Sequence, residues 1–151
     1  MSTELWTPNL SAGPWDILLR LSLAAVMGAL IGWEREAHDK PAGLRTHMMV
    51  CLGAATFTLA TLQLFLLTEG EPNSSSDPVR IAQGIVGGIG FLGAGQIIQS
   101  RGSVQGVTTA AGIWVVGAVG IACGIGHYVL AGMTIALAFV ILTVVGLLQR
   151  D

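Results

Sequence analysis

The sequence predicts an all-α membrane protein, a bundle of about five transmembrane helices with its N-terminus outside and its C-terminus in the cytoplasm. The composition is the first observation behind this prediction: of 151 residues, 52% are hydrophobic and only 11% charged, and the mean hydropathy is +0.71. Soluble domains carry roughly 25% charged residues, so a chain this poor in charge cannot cover its surface with polar groups. We therefore expect the lipid bilayer to surround it. The net charge of −2 argues against nucleic acid as a partner.

Five apolar stretches are the second observation. A transmembrane helix needs roughly 20 mostly apolar residues, and the stretches of that length lie at about 15–34, 43–67, 79–99, 106–124 and 127–148. The last two are separated by a short turn around CGIGHY and together are too long for one crossing. The segments between the spans are short and polar, and none is long enough for a second domain. The predicted organisation is an external segment at 1–14, a transmembrane domain at 15–148 and a cytoplasmic end at 149–151.

The distribution of basic residues predicts the orientation, because Lys and Arg are enriched in cytoplasmic loops. Arg35, Lys40 and Arg45 lie between the first two spans. Arg101 lies between the third and fourth spans, and Arg150 follows the fifth. With five spans these residues all fall on one side, which we expect to be the cytoplasmic side.

The glycine-rich stretch GIVGGIGFLGAGQ at 84–96 contains a match to G-x-G-x-x-G, the dinucleotide-binding pattern. A dinucleotide fold needs a strand before the glycines and an acid about 20 residues after them. Here a helix start precedes the glycines, with Asp77 suited to the N-cap and Pro78 to the first helical position. No Asp or Glu follows until Asp151. The context excludes a cofactor loop and predicts a transmembrane helix.

That helix carries small residues on one face. At 100° per residue, four glycines fall within about a third of a turn of one another, and two of them form a G-x-x-x-G pair. Helices associate in lipid through close backbone approach, because burial of apolar surface gains nothing there. We therefore expect a packing face and, since such faces are often self-complementary, a homodimer. The predicted packing residues are Gly84, Gly87, Gly88 and Gly95.

Ionisable residues in or beside the spans are where a function is expected, because a charge at the bilayer centre costs about 3 kcal/mol. Arg20, about one turn inside the first span, is expected to extend outward to the membrane surface. Cys51 and Cys123 lie in apolar runs and are expected to be small buried side chains. No Ser-His-Asp arrangement, carboxylate pair or Cys/His cluster occurs at catalytic or ligand spacing, so we predict no enzyme, no metal site and no cofactor. The candidate polar cluster is Glu34, Arg35, Arg45, Asp77, Arg80, Thr108 and Thr109.

Three stretches, in this order and spacing, resemble the membrane domain of the MgtC/SapB family. They are GALIGWEREAHDKPAGLRTHMMVCLGAATF at 28–57, DPVRIAQGIVGGIGFLGAGQII at 77–98 and GVTTAAGIWVVGAVGIACGIGHY at 106–128. The resemblance covers nearly all of the chain after about residue 15. The family motif positions matched here are Glu34, Arg35, Gly43, Leu44, Arg45, Asp77, Pro78, Arg80, the glycines from Gly88 to Gly95, Thr108, Thr109 and Trp114.

The resemblance implies a multi-pass protein of the bacterial inner membrane, linked to acclimation to low magnesium and, in pathogens, to virulence. Longer members carry a soluble cytoplasmic domain after the last span. This sequence stops at Asp151, as expected of a short member or of a shortened chain. The resemblance therefore carries over no function that depends on that domain.

Two functions of different class remain open. The first is a non-enzymatic regulator that works through helix contacts with other membrane proteins, as the resemblance implies for the best-studied branch, whose partners include the ATP synthase. The second is a small oligomeric transporter or channel for Mg²⁺ or another solute, with Glu34, Asp77 and Arg80 near its mouths. No acid lies at mid-membrane in any span, whereas a Mg²⁺ site prefers carboxylates and retained waters. We therefore favour the first.

Overall fold

The structure is a computed structural model that describes residues 12–68, 78–100 and 103–146. The elements, in chain order, are α1 (Pro14–Ala37), α2 (Leu44–Thr68), α3 (Pro78–Ala94), β1 (Ile98–Ser100), β2 (Ser103–Gln105), α4 (Val107–Gly124) and α5 (Tyr128–Val140), which continues as a π-helical segment (Ile141–Val145). In this part of the chain, α1, α2, α4 and the extended α5 are long and apolar enough to cross a membrane, and α3 is a shorter apolar helix. The predicted all-α membrane bundle of about five helices is confirmed.

The boundaries at the two ends of the chain stay predictions. Most of the predicted external segment at 1–14, and all of the predicted cytoplasmic end at 149–151, lie outside the described residues. The side of the membrane that each end faces also stays a prediction, which rests on the distribution of basic residues.

The connection between α1 and α2 is short and locally hydrogen-bonded. Pro14 occupies the first turn of α1, where a missing N–H leaves no helical hydrogen bond unmade. After the last turn of α1, the Asp39 N–H donates to the carbonyl of Glu36, and Asp39 has a left-handed φ of 52°. The Glu36 carboxylate accepts a 2.7 Å hydrogen bond from the Leu44 N–H at the start of α2. The end of α1 is thereby held against the start of α2.

Helix α4 lies at the centre of the bundle and contacts each of the other helices that the structure describes. It approaches α2 through small residues: a methyl group on Gly120 would overlap the carbonyl oxygen of Cys51, and one on Gly124 would lie 2.6 Å from Cβ of Thr58. Helices α1 and α2 approach each other in the same way at Gly28. Such close backbone approach is the main source of helix association in lipid, so α1, α2 and α4 form the tightest part of the core.

Helix α3 ends earlier than predicted. The glycine-rich stretch is helical, as the sequence predicts, but the span expected over 79–99 ends at Ala94, and a turn at Gly95 follows. The helix ends here because Gly95 disfavours the helical conformation and the residues that follow it are largely polar. It forms the antiparallel β1–β2 hairpin, in which Ile98 lies opposite Gln105. The predicted boundary is wrong, the hairpin was not anticipated, and Gly95 lies in a turn instead of on a helix face.

Candidate functional site

The last turn of α1 meets the first turn of α4 through a buried hydrogen bond. Arg35 is 5% exposed, and its Nη2 donates to Oγ1 of Thr109, which is 2% exposed, over 2.9 Å. The two helices run antiparallel, so residues far apart in sequence meet here. The structure thus brings together two members of the predicted polar cluster that come from different spans.

Glu34 lies beside this contact with its side chain only 7% exposed. Its Oε1 is 3.2 Å from Nδ1 of His38, and the same nitrogen lies 2.8 Å from the backbone oxygen of Glu34. Because both neighbours of Nδ1 are acceptors, we assign the ring proton to this nitrogen. The second carboxylate oxygen, Oε2, is buried and has no hydrogen-bond partner among the described residues.

These side chains line a cavity of about 880 Å³, which we call the α1–α4 cavity. Its walls are the end of α1, the end of the hairpin, the start of α4 and the π-helical segment after α5. A π-helical turn is rare and occurs often at functional sites. Four of the seven predicted polar residues line this cavity: Glu34, Arg35, Thr108 and Thr109.

The other three predicted polar residues lie elsewhere. Arg45 is exposed at the start of α2 and does not line the α1–α4 cavity. Arg80 is exposed in the first turn of α3, about 20 Å along that helix from its C-terminal end. Asp77 lies outside the described residues, so its pairing with Arg80 stays a prediction.

His47 is a buried polar residue that the sequence analysis did not single out. It is fully buried on α2, its Nδ1 lies 2.9 Å from the carbonyl oxygen of Gly43, and its Nε2 has no partner among the described residues. A methyl group on Gly112 of α4 would lie 3.3 Å from Nε2, so the imidazole fills the gap between α2 and α4. An ionisable residue inside a span is by default a functional candidate, and this signal was available in the sequence.

Arg20 does not extend to the membrane surface as expected. It is 2% exposed, its Nη1 donates a 2.8 Å hydrogen bond to the carbonyl of Gly124, and its Nη2 lies 2.7 Å from Oδ2 of Asp16. The last carbonyls of a helix lack partners within that helix and attract cations. The end of α4 therefore offers the guanidinium a partner inside the protein, and the prediction of an outward-extended side chain is wrong.

A second surface is the apolar groove of about 730 Å³ between α2 and α3, which we call the α2–α3 groove. Gly84 and Gly88 form part of its wall, and Arg80 lies at one end. A methyl group on Gly84, Gly87 or Gly88 would meet nothing within 4 Å in the described structure. These predicted packing glycines therefore contact no other helix of the described chain, and their role in contact with a second protein stays a prediction.

Two further sequence expectations concern cysteines and metals. Cys51 and Cys123 are free and fully buried, which confirms the expectation for both. Within residues 12–68, 78–100 and 103–146, no three His, Cys, Asp or Glu side chains lie close enough together to hold a metal ion.

The apolar helices and the polar cavity at one end of the bundle define a multi-pass helical membrane protein. The chain belongs to the MgtC family, whose family model matches residues 21–151. The family resemblance of the sequence motifs is thereby confirmed. No solved structure matches the chain.

Relatives in several bacteria are similar to this chain. It is 41% identical over 113 residues to "Putative magnesium transporter YhiD" of Escherichia coli K12, covering 75% of this chain and 53% of the relative. It is 42% identical over 111 residues to Protein MgtC of Salmonella typhimurium, covering 74% and 44%. It is also 42% identical over 121 residues to Protein MgtC of Brucella abortus, covering 80% and 47%. The chain thus spans about half the length of these curated relatives.

Proposed function

We propose that this chain is a non-enzymatic protein of a bacterial inner membrane that serves magnesium homeostasis through helix contacts with membrane partners, one of them a second copy of itself. Family membership and the names of the relatives support the link to magnesium. The distribution of basic residues supports an external N-terminus and a cytoplasmic C-terminus.

The exposed face of α3 is the observation that carries this proposal. The space beside glycines at tight contacts, such as Gly28 and Gly120, is filled by the backbone of a neighbouring helix. Gly84, Gly87 and Gly88 have the same small size but no neighbour within 4 Å in the described structure. Glycine in a helix interior costs about 1 kcal/mol relative to alanine. This face of α3 carries the cost of its glycines without packing against another helix of the described chain. We therefore expect it to make a close contact with a helix of a second protein.

Filling the α2–α3 groove tests the proposal. A methyl group on Gly84 or Gly88 meets nothing within 4 Å, so we expect the side chains of Gly84→Leu and Gly88→Leu to extend into the groove. Gly132→Leu on α5, where a methyl group also meets nothing within 4 Å, is the matched control. We would measure growth of a strain lacking the gene at limiting Mg²⁺, together with the thermal stability of each purified variant. The groove variants should fail to restore growth although their thermal stability is unchanged, whereas the control variant should restore growth. Full growth with both groove variants would contradict the proposal.

A transporter or channel is the second candidate function, and the α1–α4 cavity favours it. Glu34 and Arg35 are among the residues that line this cavity, and ionisable residues within membrane spans often mark solute pathways. Comparison of ion flux through the Glu34→Gln variant with ion flux through the unaltered chain separates a transporter or channel from a protein that acts by contact.

A further inference from the structure

The α2–α3 groove is deep because glycines stand in place of larger side chains on both of its walls. Gly53 lies on the α2 wall, and Gly84 and Gly88 lie on the α3 wall. A methyl group on any of the three would meet nothing within 4 Å in the described structure. The buried residues Ala54 and Ile89 form the floor. Because a void forfeits van der Waals contacts along its lining, an apolar occupant stabilises this groove.

The dimensions of the groove fit one acyl chain of a lipid. Its lining on α3 runs from Arg80 to Leu92, which is about 18 Å along the helix. One leaflet of the hydrocarbon core is about 15 Å thick, so an acyl chain would extend along most of the groove. Helices α2 and α3 contact each other. A helix about 10 Å across therefore cannot enter between them, whereas a hydrocarbon chain about 4 Å across can.

Arg80 provides the charge complementarity that selects the lipid. It is the one charged side chain among the described residues that line the groove, and it is exposed in the first turn of α3. A phospholipid whose chain fills the groove would place its phosphate beside the guanidinium, in a charge-assisted contact. A zwitterionic headgroup would also bring a cation near Arg80, whereas an anionic headgroup brings none. Basic residues beside membrane helices attract anionic lipids for this reason.

We propose that an anionic phospholipid occupies the α2–α3 groove, with one acyl chain between α2 and α3 and its phosphate beside Arg80. This inference goes beyond the helix contacts proposed above and does not depend on them, because the lipid site is a property of the single chain. A partner helix that packs on Gly84 and Gly88 would have to displace the acyl chain. The lipid and the partner therefore compete for this face of α3.

Native mass spectrometry of the purified full chain tests the proposal. The chain would be placed in nanodiscs that contain equal amounts of phosphatidylglycerol, which is anionic, and phosphatidylethanolamine, which is zwitterionic, with the same acyl chains. We expect the released protein to retain phosphatidylglycerol in roughly fivefold preference. Arg80→Gln should remove this preference. Arg45→Gln changes an arginine that is exposed at the start of α2 and lies outside the groove, so it should leave the preference unchanged.

Filling the groove from the α2 wall separates the lipid from the proposed helix contact. Gly53→Leu narrows the groove but leaves the glycines of α3 unaltered, and it should lose retained lipid of both kinds. Gly132→Leu on α5, where a methyl group also meets nothing within 4 Å, should retain the lipid. Lipid retention is measured without reference to growth at limiting Mg²⁺. A failure of this inference is thereby distinguishable from a failure of the proposed function.

A phosphatidylglycerol that carries a diazirine on its acyl chain locates the bound lipid. After photolysis, the label should fall on Met49, Phe57 and Leu92 of the groove, and it should be lost in Gly53→Leu. Equal labelling of the groove and of exposed α5 residues such as Leu137 would overturn the proposal. Equal retention of the two lipids by the folded, unaltered chain, or a dimer that retains no lipid, would overturn it as well.

Discussion

Arg35 and Thr109 join the last turn of α1 to the first turn of α4 by a buried 2.9 Å hydrogen bond. At the other end of the same two helices, Arg20 binds the carbonyl of Gly124 over 2.8 Å. Two arginines of α1 therefore hold both ends of α4, the helix that all the other described helices contact. The first contact also forms one wall of the α1–α4 cavity, so the stability of the bundle and the shape of the cavity depend on the same side chains.

Thr109→Val tests the contact at the cavity end. It removes the acceptor of Arg35 at nearly constant volume, so a buried charged donor loses its partner. The free energy of unfolding should fall by about 1–3 kcal/mol, measured by reversible unfolding in mixed micelles. Thr109→Ser keeps the hydroxyl and Thr108→Val changes an exposed neighbour, so both should remain within about 0.5 kcal/mol of the unaltered chain. Equal stability of Thr109→Val and Thr109→Ser would show that the bond contributes nothing.

Arg20→Met tests the opposite end of α4. The substitution leaves the Gly124 carbonyl and the Asp16 carboxylate without the guanidinium, and we expect a loss of about 1.5–3 kcal/mol. Arg45→Met, at an exposed position, is the control and should change little. The same unfolding measurement tests this prediction. A similar small effect of both substitutions would mean that Arg20 is not a structural contact.

The two kinds of glycine should respond in opposite ways to alanine. A methyl group on Gly120 overlaps the backbone of Cys51, so Gly120→Ala should destabilise the bundle by about 1–3 kcal/mol. A methyl group on Gly87 meets nothing within 4 Å in the described structure. Gly87→Ala should therefore leave the isolated chain unchanged or stabilise it by up to about 1 kcal/mol. A marked loss of stability for Gly87→Ala in detergent would place this face inside the chain's own packing.

Gly106→Ala tests how the hairpin positions the start of α4. Gly106 has a φ of 86°, and a methyl group there would overlap the carbonyl oxygen of Gln96. The left-handed conformation alone costs about 1–2 kcal/mol for a residue with a side chain, so we expect a larger total loss. Gly53→Ala, on α2 with open space around it, is the control. Hydrogen exchange at residues 103–109 should accelerate in Gly106→Ala and not in Gly53→Ala, and unchanged exchange in both would contradict this account.

The membrane bundle could be predicted from the sequence because span length and low charge are properties of local segments. The helical start at Pro78 and the lack of an acid before Asp151 were also enough to predict a helix through the glycine-rich stretch. Which face of each helix is buried could not be predicted, since lipid-facing and core-facing positions are both apolar. The glycines of α3 were therefore predicted to be the packing residues, whereas close backbone contacts between helices occur at Gly28 and Gly120.

The polar site could be predicted in part. Glu34, Arg35 and the threonines of α4 were found from their positions at helix ends, where ionisable groups can meet. The role of Arg20 could not be found in this way, because its partner is a backbone carbonyl 104 residues away, and every residue has such a carbonyl. The turn at Gly95 was missed because Ile97 and Ile98 extend the apolar run beyond it, and the polar residues of the hairpin were interpreted as a loop between two spans.

In the proposed function this chain acts by contact with membrane partners and conducts no ions. The most direct test is Mg²⁺ uptake into proteoliposomes that contain the purified chain and a trapped Mg²⁺ indicator, with and without an imposed membrane potential. A known Mg²⁺ channel serves as the positive control, and Glu34→Gln and Arg80→Ala are measured in parallel. We predict that folded protein takes up no more Mg²⁺ than empty liposomes do. Uptake by the unaltered chain that either variant loses would contradict the claim and make this protein a transporter.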